Sequence, residues 1–385
     1  MGSFTFDTEA SGATNGTKGN PFSITNRLCC VSFNFNGGSD VIPIEYTQGP
    51  YGENLASVGR MVVNADLLVG FNIKYDLHWL KRYEIDFSGK RLWDTQLAHF
   101  ILSHQKHPNP SLDEVAKYWD IGVKFDVVKE EYWKKGIDTP EIPWDILYEY
   151  ALQDANLTNQ IFLRQKDEFQ KFPKLGNLFN LCCHDLIVTQ EMEWSGLRYN
   201  LQKSKDKGRD LSLEIDEITK ELDGYSKIPL DWNSNDHVSA FLYGGVIKKR
   251  ERIQYPFTYK DGRQILKERW EEVSHILERQ IEPLKDTEVK KGNYYEVNEN
   301  VLRMLPAKGR QRKVLDLILK RNKMVKLLGT YFEGIPEIYE KYKWEDQIIH
   351  GSLNHCRAAT GRLASSKPNQ QNMDKRVKEC IESRF

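Results

Sequence analysis

Apolar and polar positions alternate from the start of the chain. "FTFD" and "VSFNF" show a period of two, and "DVIPIEY" repeats it beyond a Gly-Gly turn, which predicts strands. "LASVGRMVVNA" carries helical spacing, and "LLVGFN" reads as a buried strand. "SLDEVAKYW" opens with Ser111 and Glu114 at capping-box spacing. "IPWDILYEYALQDANLTNQIFL" predicts a strong helix with Pro143 near its first turn. Strands interleaved with helices imply an α/β domain, a sheet flanked by helices, over residues 1–172.

The pattern changes near residue 176. "LFNLCCHDLIVTQEMEWSG" reads as a helix stopped by Gly196. "SKDKGRDLSLEIDEITKELDG" and "GRQRKVLDLILKRNKMVKLLGTYFEG" are long and amphipathic, so 173–345 is expected to be mainly α-helical. Residues 248–295 are charged with poor periodicity and read as an elaborated loop region. Near the end, "DQIIHGSLNHC" reads as a short strand or hairpin, the start of a third, α+β segment over 346–385.

Composition narrows this picture only a little. A chain of 385 residues, 39% hydrophobic and 29% charged, can bury two or three cores. Lys+Arg and Asp+Glu are equal at 55 each, so a nucleic-acid partner must be argued from local charge. No apolar run is long enough to span a membrane, and the start goes straight into a strand pattern without a signal peptide. The cysteines, Cys29, Cys30, Cys182, Cys183, Cys356 and Cys380, form adjacent pairs and singles. That is neither a disulfide framework nor zinc-ribbon spacing; buried reduced thiols in the cytosol are expected.

The chemistry lies in acids at inward positions. "FTFDTE" puts Asp7 and Glu9 on one face of a strand and Phe4 and Phe6 on the other. On the helix near 145–162, Asp154 occupies the apolar stripe one turn after Tyr150. In "VGFNIKYDLHWL" a buried strand ends at Gly70, and Asp76 follows near its carboxyl end, where open α/β sheets place their sites. Taken singly, each of these acids reads as a solvated residue. If Asp7, Glu9, Asp76 and Asp154 converge, each pair at ~4 Å costs about 4 kcal/mol at an effective dielectric of 20. One or two divalent cations resolve that repulsion, and an all-oxygen set favours Mg²⁺ or Mn²⁺. Two such ions are a device for in-line attack of water on a phosphodiester, with the Tyr150 hydroxyl holding the water.

"FDTE", "GFNIKYDL" and "YALQD" resemble the three exonuclease motifs of the DEDD superfamily, in its tyrosine-bearing branch. The resemblance implies a ribonuclease H-like mixed sheet and a two-metal 3′–5′ exonuclease. It maps the metal ligands onto Asp7, Glu9, Asp76 and Asp154, water orientation onto Tyr150, and a substrate contact onto Asn72. Asp94, in "LWDTQLA", would take a supporting role; Phe71 departs from the family's usual His.

Later segments resemble landmarks of family A DNA polymerases in order: "EMEWSGLRYN", "NSNDHVSAFLYGG", "GNYYEVNENVLRML", "LKRNKMVKLLGTYFEGI" and "TGRLASSKPNQQN". The last has Ala364 and Gln370 where Ser and Leu are usual. The resemblance implies a thumb over 173–345 and the start of a palm over 346–385, close to the bacteriophage branch. Arg310, Arg312, Lys313, Lys320, Arg321, Lys323 and Lys326 crowd one helical segment whose other face is Val314, Leu317, Ile318 and Leu328. Beside a phosphodiesterase site, Arg321 and Lys326 are expected to track a duplex. Arg362 would reach the minor groove near the primer terminus, and Ser365, Asn369, Gln371 and Asn372 would contact primer or template. Without the resemblance, these residues read as a polar turn around Pro368.

The palm's metal-binding aspartates and the fingers helix would follow "VKECIESRF", where the chain stops. The expectation is therefore the amino-terminal part of a split or truncated polymerase. It would proofread and bind primer-template DNA, dock with a second polypeptide, and act in the cytoplasm of an infected bacterial host. The alternative is a free-standing DEDD nuclease acting on single-stranded DNA or RNA.

Overall fold

The structure, a computed structural model, describes residues 2–14, 16–17, 19–46, 51–123, 126–290, 292 and 294–383. Asn293, Arg384 and Phe385, which belong to polymerase-like segments quoted above, lie outside the described residues. The amino-terminal elements are β1 (Ser3–Ala10), β2 (Leu28–Phe35), β3 (Gly38–Pro43), α1 (Tyr51–Asn64), β4 (Leu67–Gly70), α2 (Lys74–Arg82), β5 (Arg91–Asp94), α3 (Thr95–Leu102), α4 (Leu112–Tyr118), α5 (Trp144–Lys171) and α6 (Pro173–Ser195). Then come β6 (Leu197–Tyr199), α7 (Leu201–Asp223), α8 (Asn235–Tyr243), β7 (Gly245–Thr258), β8 (Gln264–Leu277), β9 (Glu288–Val289), β10 (Tyr294–Tyr295), α9 (Glu299–Met304) and α10 (Gly309–Leu327). The carboxyl-terminal elements are α11 (Gly334–Tyr342), β11 (Ile348–Ile349), β12 (Ser352–Asn354), β13 (Ala364–Ser366), α12 (Lys375–Lys378) and β14 (Ile381–Glu382). Contacts divide the chain into two compact units, Met1–Ser204 with Gly334–Phe385, and Lys205–Glu333, a partition that cuts across the three segments read from sequence.

The first unit is built on a five-stranded sheet of order β3-β2-β1-β4-β5. β1 runs antiparallel to β2 and parallel to β4, so the sheet is mixed. The turn from β2 to β3 is Asn36-Gly37, both at positive φ, the pair that suits a tight hairpin. Phe4, Phe6, Leu68 and Leu77 are buried together in the core, and α5 closes the other face. Ser111 and Glu114 form the expected capping box on α4. α6 ends at Gly196, whose φ is +61°; a Cβ there would stand 2.6 Å from Ile348 Cγ2, so a turn and a close approach both require glycine. β11, β6 and β14 form a small three-stranded sheet, and β12 pairs with β13.

In the second unit, α10 buries Val314, Leu315, Ile318, Met324 and Leu327. The segment read as a loop over 248–295 is different in the structure: β7 and β8 form an antiparallel ribbon with 14 residues in each strand. Its alternation of half-buried and exposed positions is a period of two carried by charged and aromatic side chains, with hardly any apolar-polar contrast. No disulfide joins the cysteines among the described residues, and Cys29, Cys30 and Cys380 are sequestered from solvent.

Candidate active site

The sheet brings three of the expected acids together. Asp7 and Glu9 project from the carboxyl half of β1, and Asp154 from α5; one ligand atom from each lies within 4.8 Å of the others. Period two explains the selection: Thr5 shares their face, and its hydroxyl donates to Asn159 Oδ1 of α5 at 2.9 Å. A register shift at Glu9/Ala10 bulges the strand just where the acids lie.

Asp76, on α2, lies outside that group of three but is tied to the strand that carries two of them. Its Oδ1 accepts from the backbone N of Thr8 at 3.1 Å and from the Thr8 hydroxyl at 2.6 Å. Its Oδ2 is buried and has no hydrogen-bond partner among the described residues. Burial, and then the Asp7 charge, push the Asp76 carboxyl far above the usual carboxylate range, against the Thr8 bonds that lower it. A cation beside Asp76 would reverse that balance and satisfy the bare oxygen. Tyr150 is buried one turn before Asp154, edge-on to Trp133. Burial first, then Glu9, Asp154 and Asp7, raise its phenol well above the ordinary range, so it keeps its proton.

Two further acids position α2. Asp94 ends β5 and caps α3 by accepting from Leu97 N at 2.9 Å. It also accepts from Asn72 N at 3.3 Å and Ile73 N at 3.1 Å, which pins the turn between β4 and α2. Asn72 itself stands exposed at φ +56°. Glu193, from α6, receives Lys74 Nζ at 2.7 Å on Oε1 and lies 2.8 Å from His78 Nε2 through Oε2. Lys74 also donates to the Leu353 carbonyl, and Leu353 N donates back to Glu193. Burial alone would raise the Glu193 carboxyl, but the His78 hydrogen bond and the Lys74 charge outweigh it and leave it lowered. Sequence reasoning missed Thr8 and Glu193. The available signal for Glu193 was an acid on the inward stripe with Leu186, Thr189 and Gln190.

The expected nucleic-acid contacts divide. Lys326 and Arg362 are exposed. Arg321 is not: it is 6% exposed, with Nε donating to Thr219 Oγ1 at 2.8 Å and Nη1 to Asn233 Oδ1 at 3.0 Å. Its place on the stripe of Val314 and Ile318 turns it inward, so it holds its own unit together and does not face a ligand. Ser365 is also buried; its hydroxyl accepts from Gln370 N at 3.0 Å, and its amide donates to Gln371 Oε1 at 3.2 Å. Asn369 Oδ1 accepts from Gln371 N at 3.2 Å. Ser365, Asn369 and Gln371 thus build the polar turn around Pro368, while Asn372 is exposed beside it.

A mixed sheet with an acidic cluster at the carboxyl end of its central strand, completed from a long helix, defines an exonuclease domain. Residues 1–169 match the family model described as 3′-5′ exonuclease, and residues 208–384 match that of DNA polymerase family A. The chain belongs to DNA polymerase family A and carries that family's 3′–5′ exonuclease domain. It is 25% identical to DNA polymerase I of Chloroflexus aurantiacus over 347 residues, which cover 88% of this chain and 32% of that protein. It is 22% identical to the DNA polymerase of Escherichia phage T5 over 335 residues, 82% of this chain and 35% of that one. The chain therefore spans about a third of the length of these curated relatives. The POL domain of Pol1 from M. smegmatis, solved as a complex with DNA primer-template and dNTP, shares the fold with a TM-score of 0.67 at 15% identity, over 98% of this chain and 54% of that one. No helix among the described residues is long and apolar enough to cross a membrane.

Proposed function

We propose that this chain supplies the proofreading 3′–5′ exonuclease and part of the primer-template binding of a family A DNA polymerase in DNA replication. The observation that carries the reading is the convergence of Asp7, Glu9 and Asp154, with Asp76 hydrogen-bonded to Thr8, the residue between the first two, and its Oδ2 bare. Hard all-oxygen donors suit two Mg²⁺ or Mn²⁺ ions, held by Asp7, Glu9, Asp76 and Asp154. Such ions would make water acidic enough to attack a phosphodiester near neutral pH and would offset the charge developing on phosphate. Thr8 fixes Asp76, and Asp94 and Glu193 fix the helix that carries it. The protonated Tyr150 hydroxyl orients the attacking water. Asn72 contacts the 3′ end of a single strand, Lys326 and Asn372 contact primer-template backbone, and Arg362 reaches the minor groove near the primer terminus.

The segments 1–172, 173–345 and 346–385 correspond in this reading to exonuclease, thumb and the beginning of a palm. The outer strands of the β11-β6-β14 sheet, each two residues long, leave backbone groups open to pairing. We infer that the remaining palm and fingers, on a second polypeptide, dock there. The setting would be the cytoplasm of a bacterial host.

Digestion of single-stranded DNA, mismatched primer-template and RNA, assayed side by side with Mg²⁺, tests this. The two DNA substrates are expected to be trimmed from the 3′ end, RNA more slowly, and Asp7→Ala to lower the rate at least about a hundredfold. Undiminished digestion by Asp7→Ala would sink the site assignment. Primer extension by a mixture with a palm-bearing polypeptide, absent from either alone, tests the docking; a mixture that neither associates nor extends overturns it.

A further inference from the structure

The β7–β8 ribbon carries eight Lys and Arg against five Asp and Glu over 245–277, a net +3 in a chain whose net charge is zero. Cross-strand register sorts its side chains onto two faces. On one face, the half farthest from the ribbon's base pairs Ile253 with Arg269, Tyr255 with Lys267, and Phe257 with Ile265. The Arg269 guanidinium lies 5.0 Å from the Tyr255 ring centre. Lys267 Nζ lies 3.4 Å from that of Phe257 and 5.4 Å from that of Tyr259. Arg263 lies 5.9 Å from Tyr259, and Phe257 meets Tyr259 edge-on at 5.2 Å. Arg269 forms an ion pair with Glu271, two positions along its own strand and nearer the base, where Glu271 sits opposite Glu251; Lys267 forms no ion pair among the described residues.

The opposite face is organised differently. Lys248 pairs with Glu272 at 3.0 Å, and Arg252 with Glu268 at 3.4 Å. Its exposed apolar residues come singly or in pairs along the ribbon: Val246 with Ile276 at the base, Trp270 under Arg252 at 5.3 Å, and Leu266 near the tip. The ion pairs interrupt them, so this face offers no continuous apolar patch for a protein partner.

We propose that the outer half of the first face, centred on Tyr255, Phe257, Tyr259, Lys267 and Arg269, is a stacking platform for single-stranded DNA. Tyr255, Phe257 and Tyr259 occupy alternate positions on one side of the strand, about 7 Å apart along the backbone, with the last two rings closing to 5.2 Å edge-on, so that the group offers both ring faces and ring edges to bases. Bases of any sequence stack on such faces, while Lys267 beside them neutralises a phosphate and the exposed Arg269 can exchange Glu271 for another. A protein surface would need apolar area or matching acids for its own cations; a single strand supplies both rings and negative charge. The proposal rests on reading this chain as one that acts on DNA.

The test is fluorescence anisotropy of a labelled oligo(dT) of about twenty nucleotides and of a matched duplex. The full chain carries Asp7→Ala so that the strand survives. Tyr255→Ala with Phe257→Ala is expected to weaken single-strand binding about tenfold or more, leaving the salt slope unchanged. Tyr255→Trp, which keeps a ring, is expected to retain affinity. Lys267→Ala with Arg269→Ala is expected to make the slope of log K against log salt shallower by at least about 0.7, one phosphate contact, from Lys267. Lys248→Ala with Arg252→Ala on the opposite face should match the parent. The proposal is overturned if the first two double variants bind like the parent, if the opposite-face variant loses as much, or if the duplex is bound as tightly and loses equally. Cleavage of a trinucleotide by ribbon variants that keep Asp7 reports the acidic cluster separately. Loss of the ribbon effect with cleavage intact overturns only this proposal; absent cleavage with the ribbon effect present overturns only the exonuclease reading.

Discussion

The molecule contains the same chemical pair in two settings. Lys74 and Glu193 meet at 2.7 Å with side chains 9% and 5% exposed, whereas Lys248 and Glu272 meet at 3.0 Å with side chains 65% and 60% exposed. Geometry hardly separates them; water does. The buried carboxylate holds Lys74 and His78, and thereby the helix carrying Asp76, so removing it strands charge and polarity in a low-dielectric interior. The exposed pair is screened on every side and restrains little beyond its own two side chains. Identical residues therefore act as a positioning clamp in one region and as surface decoration in the other.

The largest expected effect is Glu193→Ala, which should destabilise the chain by about 3–5 kcal/mol and lower exonuclease turnover with it; thermal unfolding and turnover measured together check this. Glu193→Gln keeps the shape and loses the charge, and should fall between. Asp94→Asn comes next. It weakens the bonds from Asn72 N, Ile73 N and Leu97 N, for a loss of about 1–3 kcal/mol in denaturant unfolding and slower cleavage through the displaced turn. His99 sharpens the contrast without any ion pair. Burial, and then His107, bring its imidazole down to about 4. The unfolded chain thus binds the extra proton first: stability is full above the ordinary histidine range and is lost as the pH falls from about 6.5 towards 4. His99→Gln should make the fall in melting temperature across that window smaller than in the parent. The smallest effect is Glu272→Ala, expected within about 1 kcal/mol of the parent. A loss as large as that of Glu193→Ala would break the comparison.

The acidic site was legible because its signals are local. Asp7 and Glu9 share a strand face, and Asp154 interrupts an apolar stripe, so each shows its orientation within one element. Glu193 was illegible because His78, Lys74 and Leu353 lie 115, 119 and 160 positions away, and no short window holds them. The ribbon escaped notice because both of its faces mix charged with apolar or aromatic side chains, which removes the contrast that marks a strand. Arg321 was misplaced by weighing charge before angle: spaced with Val314 and Ile318, it points inward, and its long stem and hydrogen bonds make that tolerable.

Lys74 also sets an order of events for the growing chain. Its acceptor, the carbonyl of Leu353, is 279 positions downstream. During synthesis the helix bearing Asp76 therefore emerges early and stays without that partner until residue 353 has been made, with Lys205–Glu333 intervening. A ribosome that stalls before residue 353 would release a nuclease fold whose clamp is unfinished. The clamp on the helix bearing Asp76 is thereby completed only by a residue of the segment that matches the polymerase family.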